Sequence, residues 1–514
     1  MRRVFLILVS ALLTVTTVAF ADGTSAASKP IILSAPAAGS DLPDMGSPTT
    51  MILSQSDEYR LGAMVTRQLR DQNALIEDPE VNEYMQTIGQ RLAAQSAMGG
   101  RDFHFFIIKD DAINAFAVPG GCVFVFQGLI LATSTESELA SVMGHEIAHV
   151  TQHHIARQIR AQSQQGMASA AAMIAAILLG AAGGGGQAVE GGIVAAQGLA
   201  MQAQINFTRD NEMEADRVGI GYLAGAGFDA NAMGNFFETM SRHEGLTATY
   251  IPAMLIDHPV TTDRIAEAKA RAAQFPPRTQ KDSESYELIR ERVRVVATPA
   301  DIDLVGHYER KIARDDADLA DRYGYALALM GSNRAEEAIK VLTPLLQHHE
   351  ELTLLYVALA QAQAKAGHTK EALATFAHAS ELFPRNVPVT ERYAETLMAV
   401  GRPMEAHNML LDLFNNVPPT PDQIRLTALA ASAAGDAGDA YYYMGEYQLA
   451  GGELNIAAQQ YQLALASPHI SSIQRQRYQA RLDEVRDFLL SMHKRQLSDN
   501  GDQGQHPPSG RHGG

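Results

Sequence analysis

Two histidines and a glutamate lie close together in residues 136–159, a stretch whose apolar pattern predicts a helix. His145 and His149 are four residues apart, which places both imidazoles on one helix face, roughly 6 Å apart along the axis. Such a pair can share a zinc ion, and Glu146 beside it can take a proton from a water that the ion has made acidic. This H-E-x-x-H pattern is typical of metalloproteases, although a surface helix with a polar face would also produce it.

Two carboxylates in a later predicted helix, residues 211–223, could complete such a metal site. Glu212 and Asp216 are also four residues apart. One can therefore bind the metal while the other accepts the N–H of a ligating histidine and fixes its tautomer. Glu214 points elsewhere on that helix and is not expected to bind zinc. Alone these carboxylates would indicate a solvated helix face, but together with the histidine pair they predict the third ligand.

Two further histidines and one cysteine are not expected to take part in the chemistry. His153 and His154 are predicted to be ordinary polar residues of the helix that carries the motif. His153 lies about 12 Å from His145 along the axis, too far for one metal. Cys122 is the only cysteine, so a cysteine-based metal site and an internal disulfide are excluded, and we expect it to be a small buried residue.

The elements that must position the motif are predicted from apolar periodicity ahead of it. A helical pattern covers residues 56–91, and residues 103–108 and 122–126 are rich in aromatic and β-branched residues, as strands are. Residues 114–118 lead into a Pro-Gly-Gly turn at 119–121. We therefore predict an α+β, mainly helical fold, with a zinc metallopeptidase domain at residues 51–300.

The C-terminal half repeats with a period of 34 residues. A helix-turn-helix unit of that length, with small residues where its helices cross, indicates tetratricopeptide (TPR) repeats and an all-α solenoid at residues 301–490. Gly367 and Gly401, with Asn333 one period earlier, are expected at the turns. Other positions that recur at this interval are Ala326, Ala360 and Ala394; Ala338, Ala372 and Ala406; and Pro384 and Pro418.

The N-terminus indicates a secreted protein, and the charge of the chain bears only on its partners. Residues 1–21 combine two arginines, an apolar run and an Ala-Phe-Ala site, which is typical of a cleaved signal peptide, with an uncleaved anchor as the alternative. Residues 22–50 are predicted to be a flexible lead-in and residues 491–514 a disordered tail. The formal charge of −17 argues against nucleic acid as a partner.

A long Gly/Ala-rich stretch at residues 161–208 carries one charged residue, Glu190. Its apolar core, residues 170–179, is too short to span a bilayer. Two interpretations stay open. The stretch is a hairpin that contacts a membrane surface or covers the active site, or it is a helical hairpin buried against the repeats.

Several motifs together resemble the CAAX-protease/HtpX family of gluzincins, and the signal peptide and repeats resemble its periplasmic branch. The motifs are NAFAVPGG at 114–121, Gly128-Leu129, HEIAH at 145–149, EMEAD at 212–216, and Asp257-His258-Pro259 with Arg264-Ile265. The resemblance implies a zincin fold with one Zn²⁺ per chain. It implies His145, His149 and Glu212 as ligands, Glu146 as general base and Asp216 as the partner of a ligating histidine. Other divalent metals would fit the same ligands.

The same resemblance implies roles for the segment before the turn and for one more histidine. Residues Asn114, Ala115, Phe116 and Ala117 lie by an edge strand that holds an extended substrate by β-addition, and we expect the substrate beside residues 118–126. His258 is catalytic if it donates to the oxyanion, or it occupies the fourth zinc position of a latent enzyme. A structural histidine before Pro259 is the third possibility. Arg264 is a candidate support for this loop.

Two functions from different classes stay open. The first is a periplasmic zinc endopeptidase, in which Glu146 activates a zinc-bound water that attacks the peptide carbonyl. Its clients would be misfolded or stalled outer-membrane proteins, and the repeats would recruit these unfolded clients or an outer-membrane assembly complex. The second is a chaperone or assembly factor for outer-membrane proteins, with latent or minor proteolysis.

Overall fold

The computed structural model describes residues 55–98, 103–155, 157, 209–246, 252–278, 282–299, 301–314 and 317–502. The predicted signal peptide, the lead-in up to residue 50 and the 161–208 stretch lie outside these residues. Among the described residues, no helix is both long enough and apolar enough to cross a membrane.

A three-stranded sheet forms one layer of the N-terminal part. Its strands are β1 (His104–Ile108), β2 (Ala115–Val118) and β3 (Cys122–Phe126), in the order β1–β3–β2. β3 is parallel to β1 and antiparallel to β2, and all five of its residues are buried. Gly120 and Gly121 make the predicted turn with φ of 91° and 79°, a left-handed conformation that favours glycine. The strand predictions for 103–108 and 122–126 are confirmed.

The helical pattern at 56–91 is not one helix, as predicted, but two. α1 (Gln55–Asp71) and α2 (Pro79–Ala93) are separated by an extended segment in which Ile76 N–H donates to the Ile107 carbonyl of β1 at 2.9 Å. Asp78 caps α2, accepting from Val81 N–H, and Pro79 takes the first helical position, where its missing N–H costs nothing. A proline and a capping residue therefore outweigh the continuing apolar periodicity.

The motif helix is central to the N-terminal part. α3 (Gln127–Ala132) leads to α4 (Glu136–Thr151), whose N-terminus is capped by the Thr135 side chain and whose residues 136–149 are all buried. α4 ends eight residues earlier than predicted, because His153 adopts a φ of 52° and turns the chain. The helices that follow are α5 (Arg209–Gly225), α6 (Ala232–Leu246), α7 (Ala253–Asp257), α8 (Thr262–Ala272) and α9 (Glu284–Ala297).

The repeats form the predicted all-α TPR solenoid. The three Ala326-type and three Ala338-type positions are completely buried where helices cross, and Asn333, Gly367 and Gly401 have φ of 61°, 84° and 78° at the turns. The last helix continues to Asp502, beyond the predicted start of a disordered tail at 491. The helices are α10 (Leu304–Ile312), α11 (Leu319–Gly331), α12 (Ala335–His348), α13 (Thr353–Lys365), α14 (Thr369–Leu382), α15 (Val387–Ala399), α16 (Pro403–Phe414), α17 (Pro421–Ala433), α18 (Ala437–Ala450), α19 (Leu454–Ala466) and α20 (Ser472–Asp502).

A buried ion network joins the solenoid to the N-terminal part. Arg292 of α9 donates to Asp78 through Nε at 2.6 Å and Nη2 at 2.9 Å. Arg392 of α15 reaches the same carboxylate at 3.1 Å and Glu80 of α2 at 2.9 Å. Bidentate guanidinium–carboxylate contacts fix the relative orientation of the two groups and also stabilise the pair. This network therefore sets how the repeats sit against α2.

Candidate metal centre

One helix supplies three of the polar side chains at the centre. His145, Glu146 and His149 of α4 are 2%, 2% and 1% exposed. The Nε2 atoms of His145 and His149 lie 2.9 Å apart, so both imidazoles aim at one point, as their four-residue spacing predicts. Two imidazole nitrogens this close would repel each other if both presented only a lone pair. A proton or a cation next to the two lone pairs removes that repulsion.

A second helix brings Glu212 to that point through an unusually close helix crossing. The backbones of α4 and α5 meet at Gly144 and Gly219, where a Cβ added to Gly219 would lie 3.1 Å from Gly144 backbone atoms. The absence of both side chains lets α5 approach closely enough for Glu212 to reach α4. Glu212 Oε2 lies 3.5 Å from His145 Nε2, and its Oε1 lies 3.5 Å from His149 Nε2.

His258, which follows α7 directly, belongs to the same group. Its Nδ1 lies 3.0 Å from Glu212 Oε1, and its Nε2 lies 3.6 Å from Glu146 Oε1. One ligand atom from each of His145, His149, Glu212 and His258 can be chosen so that all four lie within 4.8 Å of one another. The structure thus brings together residues from three separate elements, all of them singled out from the sequence.

Asp216 and Arg264 support this group from behind. Asp216 Oδ1 lies 2.9 Å from His145 Nδ1, on the side of the ring that faces away from His149. Arg264 of α8, 2% exposed, donates to Asp216 through Nε at 2.7 Å and Nη2 at 2.8 Å. Its Nη1 lies 2.9 Å from Glu212 Oε2 and donates to the Pro259 carbonyl at 2.8 Å. Arg264 therefore links Glu212 and Asp216 of α5 to the loop that carries His258.

His154 is not the ordinary polar helix residue that we predicted. It is completely buried; its Nδ1 lies 2.9 Å from His149 Nδ1 and its Nε2 lies 3.0 Å from Glu214 Oε2. The prediction was wrong because it continued the helix past Thr151, whereas the turn at His153 directs His154 back beneath His149. Glu214 faces His154 and not the metal group.

The buried charges of the centre shift one another's pKa values. Burial alone would lower the pKa of His145, but Asp216 and Glu212 raise it to about 10. Burial alone would raise the pKa of Glu212, but His258 and His145 hold it well below its usual range. Burial raises the pKa of Glu146. Burial and the neighbouring His145 hold the pKa of His149 well below its usual range, so these shifts favour the positive charge on His145 and not on His149.

The donor set fits a divalent cation. Imidazole nitrogens and a carboxylate oxygen are the ligands that zinc prefers, and other divalent ions accept them as well. Glu146 Oε1 is buried and has no hydrogen-bond partner among the described residues, which leaves it available to a proton-bearing molecule at the centre.

The predicted substrate segment lies at a sheet edge close to the His258 loop. Ala115, Phe116 and Ala117 belong to β2, whose outer side has no strand partner among the described residues. Asn114 just before it donates through Nδ2 to Asp257 Oδ2 at 2.9 Å. The expectation of a substrate beside residues 118–126 was wrong for β3, because that strand is central and paired on both sides. Of the two edge strands among the described residues, β1 carries an isolated bridge between Leu75 and Ile108 on its outer side, and β2 carries none.

Comparisons with known proteins agree with this centre. Residues 79–272 match the family described as Peptidase family M48. The chain is 35% identical over 464 residues to the putative beta-barrel assembly-enhancing protease of Vibrio cholerae, covering 88% of this chain and 94% of that protein. It is 33% identical over 454 residues to the beta-barrel assembly-enhancing protease of Escherichia coli, covering 87% and 91%. The mitochondrial metalloendopeptidase OMA1 of Schizosaccharomyces pombe is 31% identical over 185 residues, covering 35% and 50%.

Proposed function

Because the chain belongs to peptidase family M48 and is a metalloendopeptidase, we propose that it is a zinc endopeptidase of the periplasm. We further propose that its substrates are misfolded or stalled outer-membrane proteins. The convergence of His145, His149 and Glu212 on one buried point, with the buried Glu146 on the same helix as both histidines, is the observation that supports the catalytic part of the proposal. The names of the beta-barrel assembly-enhancing relatives support the substrate class. The signal-like N-terminus supports the location.

His145, His149 and Glu212 would hold one Zn²⁺. When bound, zinc supplies Lewis acidity that brings the pKa of a coordinated water to roughly 7 and polarises a carbonyl. Asp216, whose Oδ1 lies 2.9 Å from His145 Nδ1, would accept the Nδ1 proton in the metal-bound state and thereby direct the Nε2 lone pair inward. Arg264 holds Asp216 and Glu212 in register, so the ligand oxygens are fixed before any metal enters.

Glu146 is the proton carrier of this proposal. As a carboxylate it takes a proton from the attacking water, and it returns that proton to the leaving amine when the peptide bond breaks. Burial raises the pKa of Glu146, which favours the protonated form that returns the proton to the leaving amine. The unpaired outer edge of β2 would bind the substrate in an extended conformation and position its carbonyl.

His258 would occupy the remaining ligand position in the conformation described here. Its ring lies among the metal-binding side chains and also near Glu146, which favours a ligand or catalytic role over a remote structural one. A catalytic zinc needs that position open for water. In this conformation the enzyme would therefore be latent, and His258 must move before the peptide carbonyl can approach.

The repeats would recruit unfolded clients or an outer-membrane assembly complex. A solenoid presents an extended concave surface, which is suited to long protein segments. The second candidate function, a chaperone or assembly factor with minor proteolysis, is favoured by one specific observation, the position of His258 in the donor group. Both functions predict zinc binding, and they differ in whether peptide cleavage is needed for the cellular role.

The deciding experiment measures degradation of an unfolded outer-membrane β-barrel protein by the purified mature chain. Wild type, Glu146→Gln and His258→Ala are compared at equal zinc content. We expect cleavage by wild type, a loss of about 10²–10⁴-fold in Glu146→Gln, and faster cleavage in His258→Ala if that residue blocks the metal. Zinc-loaded wild type and His258→Ala that both fail to cleave would contradict the endopeptidase proposal. Rescue of a deletion strain by Glu146→Gln would favour the chaperone function.

A further inference from the structure

A chain of contacts leads from His149 away from the metal group toward the surface. His149 Nδ1 lies 2.9 Å from His154 Nδ1, and His154 Nε2 lies 3.0 Å from Glu214 Oε2. Arg157 Nη2 donates to the same Glu214 oxygen at 2.8 Å. His154 is completely buried, whereas the Glu214 side chain is 30% exposed, so the contacts run from the core to solvent.

The direction of the hydrogen bonds follows from the metal side. His149 directs Nε2 at the donor group, where its neighbour His145 Nε2 is 2.9 Å away. A neutral imidazole that keeps its Nε2 lone pair for a metal carries its proton on Nδ1. His154 Nδ1 lies 2.9 Å from this atom and accepts that proton. His154 therefore carries its own proton on Nε2 and donates it to Glu214.

We propose that His154 is a positioning residue that fixes the tautomer and ring orientation of His149 and passes this constraint to Glu214. The inference rests on the proposed metal site. His145 receives direct carboxylate support from Asp216. For His149 the corresponding carboxylate is Glu214, and its support is passed on through the neutral His154. Partners of this kind raise the basicity of a ligating imidazole and hold its ring in place.

The local backbone is arranged for this contact. α4 stops at Thr151, and the left-handed turn at His153 places His154 under the last turn of the helix rather than on its outer surface. Glu214 lies between Glu212 and Asp216 on α5 but on another face, so the same helix supplies a metal-group oxygen, the His145 partner and the end of the His154 relay. Neither His154 nor Glu214 belongs to the group of four candidate ligands.

The test measures zinc affinity of the mature protein by competition with a chromophoric chelator, without reference to peptide cleavage. His154→Leu fills a similar volume but cannot accept a hydrogen bond, and we expect it to weaken zinc binding about 10–100-fold. His154→Asn places an amide oxygen near the position of Nδ1 and should restore part of this loss. Glu214→Gln keeps a weaker acceptor on a partly exposed side chain, so a drop of only a few-fold is expected.

His153→Asn is the matched control. It removes the neighbouring imidazole but suits the left-handed backbone at that position, so zinc affinity should equal that of wild type. Equal affinities of His154→Leu and wild type, or an equal loss in His153→Asn, would overturn the proposal. A wild-type protein that binds no zinc would instead overturn the metal site itself, and the inference with it.

A second measurement keeps the proposal testable if His154→Leu does not fold. Proton–nitrogen correlation spectra of histidine-labelled, zinc-loaded wild type distinguish the two neutral tautomers directly. We expect His149 protonated on Nδ1 and His154 protonated on Nε2. A His154 ring protonated on Nδ1 would refute the assigned direction of the relay. In Glu214→Gln the His154 Nε2 proton signal should shift, while that of the His145 Nδ1 proton should not.

Discussion

The substitution Arg264→Met tests whether one guanidinium holds the carboxylates of the metal centre in place. Arg264 is 2% exposed and contacts Asp216, Glu212 and the Pro259 carbonyl at 2.7–2.9 Å. Methionine would fill much of the same volume, but both carboxylates would then remain buried without this cation. Removing one partner of a buried ion pair costs about 3–5 kcal/mol. We expect the free energy of unfolding of the metal-free protein to fall by that amount.

The assay is urea unfolding followed by circular dichroism, with chelator and then with excess zinc. A bound cation can compensate the charge of Glu212 but not that of Asp216, so zinc should reduce the deficit of Arg264→Met without removing it. Lys269→Met on the same helix is the control, because its ion pair with Glu238 is nearly half exposed on both sides and is worth about 0–1 kcal/mol. Equal losses in the two variants would refute the reasoning.

Two further substitutions test the helix crossing and a buried acid. Gly219→Ala places a Cβ 3.1 Å from the Gly144 backbone, so we expect the free energy of unfolding to fall by about 1–3 kcal/mol and zinc binding to weaken. Gly221→Ala is the control, because a Cβ there meets nothing within 4 Å; its stability and its zinc affinity should both be retained. Burial raises the pKa of Glu391 to about 8, above its ordinary value of 4.5. Its folded form therefore stays protonated while the unfolded form ionises, and stability is lost as pH rises from about 4.5 to 8, by about 1.4 kcal/mol per pKa unit. Glu391→Gln should flatten this part of the pH dependence in chemical unfolding experiments.

The residues that approach the metal group could be predicted because coordination chemistry restricts both residue type and spacing. Two imidazoles four residues apart on a helix must face the same side, and His145 and His149 do so in the structure. The TPR solenoid could be predicted for a similar reason, since close helix crossings tolerate only small residues, and these recur every 34 positions. In both cases the constraint is local or periodic, and therefore visible in one sequence.

Positions whose role depends on where the chain turns could not be predicted in this way. Because we predicted the end of α4 too late in the chain, we expected His154 on a helix face, whereas it makes a buried contact with His149. The sequence does contain a signal for the boundary between α1 and α2, namely the Asp78-Pro79 pair. We gave more weight to the apolar periodicity that continues across it. Arg264 was a candidate only through the family resemblance, because its three partners come from α5 and from the loop before α8, and no spacing along the chain relates them.

The unpaired edge of β2 and the candidate metal ligands are connected through the segment that carries His258. This connection would affect how a substrate on that edge is positioned for catalysis. Met254 N–H donates to the Ile113 carbonyl at 3.1 Å, and Asn114 binds Asp257, the residue before His258. The residues just before β2 are thus tied at two points to α7, the short helix that His258 follows directly. A substrate added to β2 would meet a strand whose position is already fixed relative to the metal donors. A carbonyl held on that strand would therefore have a defined position relative to His258, and defined positions of the reacting groups are what proximity catalysis requires.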